Sequence, residues 1–222
     1  MKILNYDNKV YRFREAIQSI IQVEDLYKLH ELYYDEGFLK ENYVNENGKS
    51  LQGTVFHKRY YSDCEPFLAI YKEYVTQFIA PFWDEDILIQ KIPTFRIHAV
   101  DSRALGGGDD LTVGPIQGVH KDSDFNHSKH EVNFFLPFTD VNEYNTIWYK
   151  EGKSFAPMMV NYGQIYQWNG STIPHGNKVN TSNQTRVSVD FRILPRSKYV
   201  ETSLESYTNN KRFIIGEYFE EL

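Results

Sequence analysis

His120-Lys121-Asp122 places an imidazole and a carboxylate two residues apart. In extended backbone, positions i and i+2 project from one face, so both side chains can converge on a single ion. A third ligand has to come from elsewhere, and His175 is the best candidate. It follows Pro174 at the end of a strand-like run and precedes Gly176, a setting that suits a side chain fixed at a turn. Two imidazoles and one carboxylate on one face of an octahedron leave three adjacent positions open, the donor set of a non-haem Fe(II) centre. Taken alone, His-x-Asp equally fits a surface turn with a solvated Asp. His127 and His130 compete as ligands but read more readily as exposed loop histidines. His30, His57 and His98 read as structural, with His98 able to line a cleft.

Eleven residues after His175 comes Arg186, followed by Val187-Ser188-Val189-Asp190-Phe191-Arg192. In a strand, Arg186 and Ser188 face one way while Val187, Val189 and Phe191 face the other. A guanidinium fork beside a hydroxyl suits two-point capture of a carboxylate. The competing assignment is a structural ion pair of Arg186 with Asp190 or Glu131.

These residues have to be positioned by a scaffold whose periodicity changes along the chain. Ile17, Ile20 and Ile21, then Leu26, Leu29 and Tyr33, recur at helical spacing, with Asp35-Glu36-Gly37 as a stop. Residues 38–61 read as polar and irregular. Ser62 and Glu65 then form a capping-box signature, Pro66 falls in the first turn, and Phe67, Ile70, Tyr71, Tyr74, Val75, Phe78 and Ile79 trace one apolar stripe ending at Pro81. From residue 86 the period becomes two. Strands are expected at 87–89, 95–100, around Val119, and at 131–138, 146–149, 163–168 and 185–194, interrupted by a Gly106-Gly107-Gly108 loop placed where a lid would close. The expected division is a mainly helical layer over 1–85, a β-domain over 86–195 and a C-terminal extension over 196–222, together forming one α+β domain.

Composition narrows the partners. The chain has 222 residues, 41% of them hydrophobic, with 17 Tyr and 15 Phe, enough for a sizeable packed core. A formal charge of −6 without a basic run gives no footprint for nucleic acid or an anionic membrane. One cysteine allows no internal disulfide, and no secretory leader or membrane-length apolar stretch is evident, so a cytoplasmic protein is expected.

With His-x-Asp, a distal Pro-His-Gly and a following Arg-x-Ser in that order, the sequence resembles the Fe(II)/2-oxoglutarate-dependent dioxygenases. More narrowly it resembles their bacterial streptomycin-biosynthesis-type branch, related to the phytanoyl-CoA hydroxylases. The matching segments run from Pro93-Thr94-Phe95-Arg96 through 119–125, 131–139 and 145–148 to 175–180 and 185–192, about half the chain. The resemblance implies a double-stranded β-helix core (jelly-roll, cupin-like) carrying N-terminal helices. It implies Fe(II) on His120, Asp122 and His175, the distal carboxylate of 2-oxoglutarate on Arg186 with Ser188, and Asn133 beside the cosubstrate. One departure is Tyr149-Lys150-Glu151-Gly152, where an acidic-serine pair is expected, and it weakens any transfer of substrate identity.

Three protein ligands leave two positions for a 2-oxo acid chelate and one for O₂. Hydroxylation, with release of succinate and CO₂, is the default outcome. An aspartate at position 122 argues against halogenation, which needs that coordination position free for halide. The alternatives are a cupin-type metalloenzyme without 2-oxoglutarate, which needs no carboxylate clamp, and a non-catalytic carbohydrate-binding β-sandwich. Arg96, His98, Arg103, Lys121, His127 and Lys129 form a basic set around the motif, so the expected substrate is small, polar and anionic.

Overall fold

In the computed structural model, which describes residues 1–33, 54–102, 112–206 and 211–222, strand β10 (Arg186–Pro195) is the organising element. It is paired along both edges, and eight of its ten residues are buried. Strand β5 (Val132–Pro137) lies on one edge, while β3 (Thr94–His98) and β2 (Ile87–Gln90) share the other. Val187, Val189, Phe191 and Ile193 enter the main apolar core, and Arg186, Ser188, Asp190 and Arg192 enter a pocket on the opposite face. The strand is thus largely buried, yet four of its ten residues are polar.

Around it a seven-stranded sheet is completed by β8 (Gln164–Trp168), β1 (Lys2–Asn5) and β11 (Phe219–Glu221). A second sheet of four strands runs β4 (Gln117–His120), β9 (His175–Asn177), β6 (Ile147–Glu151), β7 (Ser154–Pro157). Every pairing between these strands is antiparallel. Phe135, Tyr166 and Trp168 of the larger sheet pack with Tyr149 of the smaller one, so the two sheets face each other across this cluster.

The helices are α1 (Phe13–Ile21), α2 (Leu29–Tyr33), α3 (Val55–Asp63) and α4 (Glu65–Tyr74), the last continuing through a π turn and a 3-10 turn to Phe82. The apolar stripe of α4 behaves as its spacing predicts: Phe67, Tyr71, Tyr74, Val75 and Ile79 are buried, with Ile70 and Phe78 packed against the same core. The many aromatic residues converge here. Phe134 stacks on Phe191 at 5.0 Å, Tyr71 meets Phe191 edge-on at 4.9 Å, and Tyr60 stacks on Phe95 at 4.8 Å. Each such buried side chain contributes about 1.5–3 kcal/mol relative to exposure. No helix of the described residues is long and apolar enough to cross a membrane.

Several details differ from the sequence expectation. Residues 55–61 are helical rather than irregular: Thr54 caps α3 by accepting from the His57 backbone N–H at 3.4 Å, and Phe56, His57 and Tyr60 are buried. Ser62 therefore lies in the last turn of α3. It caps nothing, and the cap position of α4 is Cys64, with no side-chain hydrogen bond. Strands β1, β7, β9 and β11 were not expected, and β1 and β11 place parts of the helical layer and of the C-terminal extension in the large sheet. The expected helix stop at 35–37, the Gly106–Gly108 loop and Arg103 lie outside the described residues.

Candidate active site

His120 is the last residue of β4, and its antiparallel neighbour β9 sets His175 directly opposite in register. The two rings lie 4.3 Å apart, inclined at 53°. Strands β4 and β9 approach so closely that a Cβ at Gly176 would stand 2.6 Å from the Gln117 carbonyl oxygen, which explains a glycine after the histidine. Lys121 is extended (φ −112°, ψ 146°), so Asp122, the first residue of a 3-10 turn, projects on the same side as His120. The i, i+2 geometry expected of His-x-Asp is present, and the third residue arrives by cross-strand pairing.

Each histidine has one nitrogen committed. His120 Nδ1 lies 2.6 Å from the Gly118 carbonyl and His175 Nδ1 3.0 Å from the Ile173 carbonyl. A carbonyl only accepts, so each Nδ1 donates and each Nε2 keeps its lone pair. Those Nε2 atoms stand 3.7 Å (His120) and 3.4 Å (His175) from Asp122 Oδ1, and the three ligand atoms lie within 4.8 Å of one another. Donors bound at right angles about 2.1 Å from one ion would lie about 3 Å apart. Lone pairs converging in this way repel unless a cation sits among them, so the set is able to hold a metal ion. Burial pushes the His120 pKa down to about 4, which keeps its ring neutral as a ligand must be.

Asp122 is held from behind. Burial alone would raise its carboxyl, but the Arg192 guanidinium holds it well below the usual carboxylate range. Its Oδ2 accepts from Asn133 Nδ2 at 2.6 Å and from Arg192 Nη2 at 2.8 Å and Nε at 3.2 Å. The Asp122 backbone N–H donates to the Gly170 carbonyl, and the Gly170 N–H donates to Asn133 Oδ1 at 3.0 Å. Asn133 lines the pocket, as the resemblance implies, but its amide is spent on Asp122 and Gly170. Gly170 escaped the sequence reading, whereas Arg192, on the strand face of Arg186, reads from sequence as the second candidate for the carboxylate clamp and not as the partner of Asp122.

Arg186 behaves differently from its neighbours on β10. Arg96 pairs with Asp190 at 2.9 Å, and Arg192 pairs with Asp122 and Asp190. Arg186 is 2% exposed and has no carboxylate partner among the described residues. Its Nη1 donates to the Asn145 carbonyl at 2.8 Å and to Asn177 Oδ1 at 3.4 Å, while its Nε and the Oγ of Ser188 have no hydrogen-bond partner among the described residues. Burial and the nearby Arg96 push its pKa down to about 9. A buried guanidinium beside an unused hydroxyl, in the same pocket as the His-Asp-His cluster, is a receptor for an anion.

The remaining histidines separate cleanly. His127 Nδ1 donates to Glu131 Oε2 at 2.8 Å, His130 is exposed, and neither belongs to the cluster. His98 is fully buried between the Asn145 and Ser102 carbonyls, each 3.1 Å from a ring nitrogen, and buttresses the carbonyl that Arg186 uses. Of the expected basic rim, Arg96 and His127 are engaged with acids and His98 is buried, while Arg103 lies outside the described residues.

Fold and site together define a protein of helices on antiparallel sheets, with a His-Asp-His cluster able to hold a metal ion between two of those sheets. No family model matches the chain. Over 217 residues it is 31% identical to the streptomycin biosynthesis protein StrG of Streptomyces griseus, covering 98% of this chain and 96% of that protein, and the chain belongs to the StrG family. Among solved structures, the non-heme monooxygenase ThoJ in its nickel complex aligns with a TM-score of 0.47 and 11% identity over 88% of this chain and 73% of that one. HygX from Streptomyces hygroscopicus, with nickel and 2-oxoglutarate bound, aligns at 0.42 with 16% identity over 65% and 72%. Likeness this distant carries no chemistry across to this chain.

Proposed function

We propose that the chain is a non-haem Fe(II)- and 2-oxoglutarate-dependent oxygenase built as one domain over residues 1–222 on a double-stranded β-helix. His120, Asp122 and His175 hold the metal, and Arg186 with Ser188 takes the distal carboxylate of the cosubstrate. The observation that carries this reading is the Arg186 guanidinium, buried without a carboxylate partner among the described residues, in one pocket with the His-Asp-His cluster. A metalloenzyme without 2-oxoglutarate has no use for such a cation.

Bound there, ferrous iron and 2-oxoglutarate supply O₂-dependent oxidation of a C–H bond coupled to release of succinate and CO₂. The chain's own part is positioning. The Gly118 and Ile173 carbonyls orient the two imidazoles, Arg192 and Asn133 orient Asp122, and Phe135, Ile147 and Trp168 keep the pocket wall apolar against water. Hydroxylation is the expected reaction. The substrate is small and polar, in keeping with the biosynthetic role that the StrG name carries. An anionic substrate has a smaller basic set to draw on, since Arg96 and His127 are engaged with acids.

The direct test is anaerobic titration with Fe(II) and 2-oxoglutarate, for which a weak charge-transfer absorption is expected, followed by O₂-dependent succinate release. Absence of both the band and 2-oxoglutarate affinity would return the chain to the metalloenzyme or carbohydrate-binding alternatives. A second expectation concerns Gly170, where a Cβ would stand 2.8 Å from Asn133 Nδ2 and 3.0 Å from Asp122 Oδ2. Gly170→Ala should displace both and weaken Mn(II) binding about 10–100-fold. Calorimetric titration checks this, and an unchanged Kd would mean that Asp122 tolerates the shift.

A further inference from the structure

We infer that Arg192 is a positioning residue that restricts Asp122 to one-oxygen metal coordination, resting on the reading of Asp122 as a metal ligand. The two carboxylate oxygens have unlike surroundings. Oδ2 receives two Arg192 nitrogens, at 2.8 and 3.2 Å, and Asn133 Nδ2 at 2.6 Å, whereas Oδ1 faces His120 and His175. With Oδ2 occupied by three donors, a second metal–oxygen bond from Asp122 would have to break charge-assisted hydrogen bonds in a buried setting. A two-oxygen carboxylate would also take one of the three positions that the cosubstrate and O₂ require.

The guanidinium is itself fixed on every side. Its Nη1 lies 3.2 Å from Asp190 Oδ2, 3.3 Å from Gln90 Oε1 and 3.4 Å from the Tyr218 hydroxyl, and its Nε lies 3.6 Å from Glu131 Oε2. Glu131, 1% exposed, is anchored by the Ser128 N–H at 2.9 Å and by His127 at 2.8 Å. The His127 ring packs on Phe213 and Tyr218 at 4.7 and 5.8 Å, so residues beyond the β-domain close the outer side of this network. Arg192 is therefore committed to Asp122 and is not available as the cosubstrate clamp.

The experiment compares wild type, Arg192→Met and Arg192→Lys by Mn(II) titration, by the visible spectrum of the Co(II)-loaded protein, by 2-oxoglutarate affinity and by denaturant unfolding without metal. Arg192→Met should weaken Mn(II) binding about 10–100-fold and alter the Co(II) band pattern. Arg192→Lys, which keeps the charge but makes fewer bonds to Oδ2, should fall between the two and stay folded if Met does not. Wild-type Mn(II) affinity and an unchanged Co(II) spectrum in Arg192→Lys would overturn the inference. So would lowered stability with metal binding intact, or loss confined to 2-oxoglutarate affinity. Failure of the wild-type protein to bind Mn(II) would instead sink the metal-ligand reading beneath it.

Discussion

Asp122→Ala should abolish metal binding and also destabilise the metal-free fold by about 3 kcal/mol. The sequence alone suggests a ligand near the surface whose loss spares the core, but Asp122 is 4% exposed and accepts from Arg192 and Asn133. Removing one partner of a buried ion pair costs about 3–5 kcal/mol. The lower figure applies because Arg192 keeps Asp190 and Glu131 as counter-charges. Asp122→Asn keeps the shape and loses the charge, so it should unfold earlier than wild type by about 1–3 kcal/mol while binding Mn(II) no better than the alanine variant. Because the folded-state pKa lies below the ordinary one, the stabilisation from Asp122 is complete above about pH 5 and is lost on acidification below it. Urea unfolding of metal-free protein, paired with Mn(II) titration, reads both effects. A wild-type urea midpoint in Asp122→Ala would contradict the buried network, and wild-type Mn(II) affinity would contradict the ligand set.

Arg186→Met should do the opposite to the empty protein. A guanidinium buried without a carboxylate destabilises the fold, and an unbranched apolar side chain of similar length relieves this, with an expected gain of about 1–2 kcal/mol. The sign agrees with the pKa: a cation whose folded value is lowered to about 9, well below the ordinary guanidinium range, opposes folding at every pH below that range. The same change should weaken 2-oxoglutarate binding on the order of tenfold to a hundredfold or more, since a charge-assisted two-point pair contributes about 1.5–3 kcal/mol. Arg186→Lys should restore only part of it. Melting curves with Mn(II), with and without 2-oxoglutarate, separate the outcomes. Wild type should show a cosubstrate-dependent rise in Tm, and Arg186→Met should show a higher starting Tm and no rise. A cosubstrate-dependent rise retained in Arg186→Met would mean that the anion binds elsewhere.

Much of this was legible because its signals are local and periodic. Alternation along 186–194 predicts both the strand and the division of its two faces, and the spacing of His120 and Asp122 predicts convergence. The stripe from Phe67 to Ile79 predicts a buried helix face, and it is one. What escaped depends on contacts between distant residues. Arg186 and Arg192 occupy equivalent positions on one strand face, and what separates their tasks is which carboxylates fold against them. Asp122 reaches Arg192 from 70 residues away, and among the described residues no carboxylate bonds Arg186. Strand β9 has three residues, too few to establish a period, so His175 reads as a turn residue. Helix α3 hides because one of its buried positions is a histidine, His57, whose burial pushes its pKa down to about 3 and lets it behave as an apolar ring.

The aromatic wall around His127 bears on the order of assembly. A growing chain that has emerged as far as Arg192 already contains every proposed ligand, but the hydroxyl and rings that brace the guanidinium lie further along, with Tyr218 separated from Arg192 by 26 positions. An intermediate of that length already holds Asp122 through Asn133 and Arg192 but lacks the Tyr218 hydroxyl beside the guanidinium. The brace around the Arg192 guanidinium is therefore complete only once these late residues have docked.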